Sequence, residues 1–231
     1  MVTPPYVHNF CFPVPEQLQN ERVKLTPFIP SEHAEPFFAA ASTNDNLFAY
    51  LPWGPFASAK DFVATVIDGR IQPDPGMLLF AVFTADELAG IIGLLDTSAT
   101  NLSTEIGFVI TLPRFQRTHV TSNAVGLLLH CALDAPAAGG LGLRRVAWKA
   151  NVANVQSVRA AERMGFRREG VLRWDRVLPP WKTLGGNSSG ERAGDPKQGC
   201  MGRDTILLSM CWDDWEGGGR DSVDAIMKRG T

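Results

Sequence analysis

Cysteine is scarce in this chain, with four among 231 residues, and Cys11, Cys131, Cys200 and Cys211 stand far apart with no C-x-x-C. That spacing points to neither a zinc site nor a disulfide framework, so the four read as free thiols of a reducing compartment. Charge of one sign is not in excess either: 22 Lys and Arg against 24 Asp and Glu leave a formal net charge of -2 and a pI near 6.1. A polynucleotide or an anionic membrane surface calls for a basic field, and none is present. Long apolar runs are also missing. None reaches the roughly 18 residues of a membrane span, and the opening "MVTPPYVHNFCFPVPEQLQN" lacks a basic start followed by an apolar core. The expectation is a cytoplasmic protein with no membrane and no nucleic-acid partner.

What is present is enough apolar residue, 45% of the chain, to fill one sizeable core. A single domain over 1–231 is expected, with an N-terminal arm at 1–20 that holds four prolines and no periodicity, and a Gly-rich insertion loop at 182–203. "ERVKLTPFIP" reads as a strand, and Ser31 as the N-cap of a helix over "SEHAEPFFAAAS". "SAKDFVATVIDGRI" has Phe62, Val66 and Ile67 on one helical face. Three β-rich runs, "MLLFAVFT", "ELAGIIGLLDT" and "TEIGFVIT", follow at short intervals and predict an antiparallel meander. A helix then carries Ala124, Leu127, Leu128, Cys131 and Ala135 as its apolar stripe, and "GLRRVAWKAN" returns to strand. The next helix, "NVQSVRAAERM", is stopped by Gly165, placed as a left-handed cap. Strands over "EGVLRWDRVLP" and "DTILLSMCW" and a short terminal helix, "RDSVDAIMKR", complete the order.

That order, with "EIGFVI…FQRTHVTSNA" and "NVQSVRAAERMGF" in their places, resembles the GNAT N-acetyltransferases, in particular their RimJ/RimL-like branch, over about Arg22 to Glu216. The resemblance implies an α/β fold: a mixed, mostly antiparallel sheet, splayed in the middle and flanked by helices. It implies acetyl-CoA as cosubstrate and direct transfer of the acetyl group in a ternary complex. The acceptor would be a primary amine, either a small molecule or a protein or peptide N-terminus, and the protein a monomer or homodimer. A CoA pyrophosphate needs convergent N–H donors, which a helix N-terminus supplies. In the family a Gln/Arg-x-x-Gly-x-Gly/Ala turn does this, and here the turn is Gln116, Arg117, Thr118, His119, Val120 and Thr121. His119 and Thr121 replace the family's small residues. The pantetheine arm would pair with the backbone of Phe108, Val109 and Ile110, where Gly107 either eases the approach or marks a sheet bulge.

The same resemblance makes Asn154 a contact for the pantetheine amides and Ser157 the proton donor to the departing thiolate. The residues alone also allow Asn154 to be an N-cap and Ser157 an incidental first-turn polar residue. A base must deprotonate the attacking ammonium. Glu105, at the head of the central strand, is the first candidate, and Asp175 the second, because Trp174-Asp175-Arg176 stands where relatives can carry a Glu. Glu105 also reads as a solvated carboxylate at a strand end. No metal site is expected, since His119 and His130 lack Asp or Cys at ligand spacing. Trp53, Trp148, Trp174 and Trp181 are candidates for lining an acceptor cleft, with core packing the simpler reading for Trp148. An acyl-CoA-binding sensor without turnover is the alternative function.

Overall fold

A computed structural model describes residues 6–182, 184–187 and 192–229. The elements run β1 (Leu18–Gln19), β2 (Lys24–Pro27), α1 (Pro30–Ala41), α2 (Ala59–Phe62) passing into a π-helical stretch (Val63–Ile71), β3 (Leu78–Thr84), β4 (Glu87–Ser98) and β5 (Ser103–Thr111). They continue with α3 (Val120–Leu133), β6 (Arg145–Asn151), α4 (Val155–Arg163), β7 (Arg167–Val177), β8 (Gly202–Cys211), α5 (Trp212–Asp214) and α6 (Arg220–Lys228). One eight-stranded sheet is ordered β1-β2-β3-β4-β5-β6-β8-β7. Every neighbouring pair is antiparallel except β5 and β6, which are parallel. Among the described residues no helix is long and apolar enough to cross a membrane.

The central strands β3 and β4 are apolar on both faces because both faces are covered. Phe80, Ile92 and Leu94 enter a core shared with α3, α4 and α6, whereas Leu79, Ala81 and Ile91 enter one shared with α1 and α2. Helix α3 is buried nearly all round rather than along one stripe. Val125 and Leu129 are as buried as Leu128, Cys131 is only half-buried, and Ala135 lies past the helix end. Each fully buried leucine there contributes roughly 1.5–3 kcal/mol. Gly126 lets α6 approach, since a Cβ would meet Met227 Sδ at 2.2 Å.

Two local expectations are corrected. Helix α1 starts at Pro30 with Ile29 as N-cap, two residues ahead of Ser31. Proline needs no N–H partner and its φ is already helical, and His33 Nδ1 accepts the Ile29 N–H at 2.8 Å. The N-terminal arm is not structureless throughout, because Leu18 and Gln19 pair with Leu25 and Lys24 as an edge strand. Of the 182–203 insertion, residues 183 and 188–191 lie outside the described residues. The described remainder is turns and irregular backbone up to β8, and its first part is tied down. Lys182 Nζ donates to Phe48 O at 2.6 Å, Asn151 Nδ2 donates to Gly185 O at 2.9 Å, and Asn187 N donates to Gly202 O at 2.7 Å.

Candidate active site

Strands β5 and β6 pair over only three positions, Ser103 with Arg145, Thr104 with Val146 and Glu105 with Ala147. Beyond them β6 stays with β8 as far as Asn151–Thr205, and β5 stays with β4 as far as Thr111–Gly90. The β6-facing edge of residues 106–111 therefore has no strand partner, and an extended ligand can use it as a further strand would. A bulge reshapes this edge. Phe108 has φ +50, and two residues of β5, Phe108 and Val109, oppose Ile92 alone. Its effect is to turn Phe108 and Ile110 onto the α1/α2 side, although Ile106, two residues earlier, faces α3. A Cβ at Gly107 would lie 2.3 Å from Leu95 Cδ1, so the glycine also lets the Leu95 side chain pack over β5.

The turn after β5 ends at the N-terminus of α3. Gln116 Nε2 donates to Thr111 O at 3.1 Å, Thr118 Oγ donates to Phe115 O at 2.6 Å, and Val120 N donates to Thr118 Oγ. The N–H groups of His119, Thr121 and Ser122 have no protein acceptor among the described residues. They fit an anion, as the orphan donors of a helix start do. The left-handed position in this turn is Arg117, φ +61, and not His119, φ -67. The chain makes its sharp step at Arg117, and Thr121 is held by a 2.7 Å hydroxyl contact with Thr111. His119 lies 3.3 Å from Thr84 Oγ1, and burial, aided by Arg22, lowers its pKa. The exposed cation of the turn is Arg117.

Across the opening, Asn154 Oδ1 accepts the Ser157 N–H at 3.1 Å and caps α4. Its Nδ2 group has no acceptor among the described residues. Ser157 Oγ accepts the indole N–H of Trp148 at 3.0 Å, which leaves its own O–H to be donated. The abrupt helix end supports this contact. Gly165, φ +92, turns the chain so that Phe166 packs edge-on against Trp148 with ring centroids 5.6 Å apart. Trp148 is thus core, while Trp53 packs on Phe108 at 5.1 Å, and Trp174 and Trp181 are exposed.

On the α1/α2 side of the sheet, Glu105 is buried and paired with Lys149 Nζ at 2.7 Å, and Lys149 also holds Asp96 at 2.7 Å. Asp96, an exposed residue, reaches Lys149 from a left-handed position, φ +48, at an irregularity of β4. Burial lifts the Glu105 carboxyl above its ordinary range, with Lys149 pulling against it. Burial would depress the Lys149 ammonium, but Glu105 and Asp96 together raise it. For Asp96, burial is outweighed by Lys149 and the pKa is lowered. Glu105 is therefore not a solvated strand-end carboxylate. Asp175 accepts from Thr205 Oγ1 at 2.8 Å and lies 3.4 Å from Arg176 Nε, on the outer strand β7. Lys149, Asp96 and Arg70 were missed in the sequence.

Away from the opening, His130 bonds Asp134 and Asp224, each at 2.8 Å, in a network with Trp215 and Arg220. Cys211, Asp213 and Asp214 offer ligand atoms within 4.8 Å of one another, but Asp214 accepts the Cys211 N–H and pairs with Arg167.

A parallel pair that parts after three residues, with free helix-start donors on one strand's exit and a capped helix on the other's, is the arrangement that the resemblance to the GNAT enzymes implies. The family described as "Acetyltransferase (GNAT) domain" matches residues 22–167. The chain belongs to the GNAT acetyltransferase family. Acetyl-CoA is accordingly the acetyl donor of this acetyltransferase. The enzyme is 26% identical over 148 residues to the ribosomal-protein-serine acetyltransferase of Escherichia coli (strain K12), covering 63% of this chain and 79% of that one. Among solved structures, a probable GNAT-family acetyltransferase from Chromobacterium violaceum aligns with TM-score 0.71 and 26% identity, covering 94% of this chain and 96% of that one. A GCN5-related N-acetyltransferase from Brucella melitensis aligns with TM-score 0.74 and 27% identity, covering 93% and 87%. The splayed, mostly antiparallel sheet expected from the sequence is the fold observed.

Proposed function

We propose that the enzyme acetylates a primary amine by direct attack on acetyl-CoA lying between β5 and β6. The observation that carries this is the parting of the two strands beyond Glu105 and Ala147. The pyrophosphate would rest on the N–H groups at the start of α3, beside Arg117. The pantetheine would lie along Phe108, Val109 and Ile110 and receive the Nδ2 group of Asn154. As the amine nitrogen bonds to the acetyl carbon and the carbon–sulfur bond breaks, Ser157 would give its proton to the thiolate. The proton leaving the ammonium would pass to Glu105, directly or through water, because that carboxylate is buried and its proton affinity raised. Asp175, tied to Thr205, is the less suited base. Elevated affinity alone would not suffice. Lys149 keeps a carboxylate present to act.

The test is thiol release from acetyl-CoA with a panel of small amines and N-terminal peptides, with the products weighed by mass spectrometry. Amine-dependent release and a product heavier by one acetyl group are expected. Tight acetyl-CoA binding with no turnover on any acceptor would instead make the protein a sensor.

A further inference from the structure

On the basis of that reading, we infer that the acceptor amine is a small molecule that also carries an anionic oxyacid group, and that Arg70 binds this group. Arg70 stands near the end of the π-helical stretch Val63–Ile71, and its guanidinium lies over the Phe108 ring, 6.0 Å from the centroid. Phe108 is the residue that the β5 bulge turns onto the side of the sheet holding Glu105. The Nε of Arg70 is buried without a hydrogen-bond acceptor among the described residues. The nearby carboxylates are engaged elsewhere: Lys149 holds both Asp96 and Glu105, and Asp74 Oδ1 accepts the Gly76 N–H. An orphaned buried donor of a charged group is costly, and its natural complement is a carboxylate or phosphate.

The surrounding charges are evenly matched: Arg70, Lys149, Arg176 and Arg203 lie among Asp74, Asp96, Glu105 and Asp175, four cations and four anions, so no net negative field opposes an arriving anion. Burial depresses the Arg70 pKa and Arg176 depresses it further. A second cation borders the same aromatic cluster. Lys182 is 6% exposed, donates to Phe48 O, and Phe48 and Phe108 both pack on Trp53. An acceptor with its ammonium toward Glu105 and its anion toward Arg70 satisfies both ends. A polyamine would place a second cation against Arg70.

The experiment compares amines in matched pairs by thiol release at saturating acetyl-CoA: glycine with glycinamide, γ-aminobutyrate with its amide, O-phosphoethanolamine with ethanolamine, and spermidine alone. The acid is expected to exceed its neutral partner in kcat/KM by about tenfold or more, the equivalent of one charge-assisted hydrogen bond. Which pair shows this separates carboxylate from phosphate. Arg70→Gln should bring the ratio close to one, chiefly through KM, and Arg70→Lys should restore part of it; thermal melting checks that both variants fold. Equal use of acid and neutral partners, better use of spermidine or peptides, or a ratio unmoved by Arg70→Gln overturns the inference. If no amine is turned over although acetyl-CoA binds, the transfer reaction itself fails. Calorimetry of γ-aminobutyrate and O-phosphoethanolamine on the CoA-loaded protein then decides the anion site: binding lost in Arg70→Gln sustains it, and no binding overturns it.

Discussion

Ser157 has two demands on one oxygen. It accepts the buried Trp148 N–H and, in the proposed reaction, gives its proton to sulfur. Ser157→Ala should lower turnover about ten- to hundredfold at saturating acetyl-CoA, the lower end of general-acid effects, while leaving CoA affinity in place. It should also cost about 1–3 kcal/mol of stability, because the indole N–H loses its acceptor. Adding Trp148→Phe removes that donor, so the double variant should recover part of the stability and none of the turnover. Chemical denaturation and steady-state kinetics check both, and recovered turnover would reduce Ser157 to a structural role. Glu105 has a different signature, in pH. Its raised proton affinity predicts that activity falls on acidification through a pKa above the ordinary carboxylate value. Lys149 opposes the rise, so Lys149→Met should move the acid limb of kcat/KM to higher pH. An unmoved limb would take the base role from Glu105.

At the scale of elements, the proposed phosphate site rests on the conformation of one turn. Arg117 takes the left-handed step of this turn, and α3 begins with donors unspent. Acetyl-CoA should raise the melting temperature by mass action. Arg117→Glu should weaken its binding, since a carboxylate would face the pyrophosphate, and the ligand-induced shift should shrink accordingly. An identical shift in the variant would remove Arg117 from the donor site. The helix α4 was legible in advance because both of its ends are local chemistry. Asn154 caps its start and Gly165 ends it in the left-handed region. The start of helix α1 was misplaced by two positions because Ser31 and Pro30 compete for it, and proline fixes the backbone before a cap can act. The burial of α3 was underestimated for another reason. Its covering by α6 is decided by Gly126 meeting Met227, about a hundred residues away in sequence.

Over the whole molecule, several ion pairs tie the sheet to its edges, and they set the response to acid. The two-point Arg145–Glu169 contact, at 2.5 and 2.6 Å, joins β6 to β7 and, with Ser209, holds the Glu169 pKa at about 2 against an ordinary 4.5. Asp134, between α3 and α6, is lowered by His130, Arg220 and Trp215 against the opposing effect of burial. A carboxylate depressed by folding contributes stability that is fully present above its unfolded pKa and lost as pH falls through the folded one. For Glu169 that window is about 4.5 to 2. Glu105, raised by burial, acts with the opposite sign. The melting temperature is therefore expected to drop steeply only below about pH 4.5, and Arg145→Met should flatten the Glu169 share of that drop. A scan from pH 7 to 2.5 on both proteins checks this, and parallel curves would remove the pair from the acid response.

The sequence by itself determined the order of the main strands and helices, the antiparallel meander, the caps of α4 and the absence of a membrane-length run. Each follows from residues near one another in the chain, through periodicity, capping and turn chemistry, whereas Asn154 and Ser157 became candidates through the family resemblance. Only the tertiary structure decided where β5 leaves β6, because that depends on register between strands about forty residues apart. The same is true of the bulge that re-aims Phe108, the Lys149 bridge from Glu105 to Asp96, and Arg70 over an aromatic ring. Burial and charge compensation are properties of neighbours in space, so a carboxylate that looks solvated in the sequence becomes a buried, ion-paired group once β4, β5 and β6 are side by side.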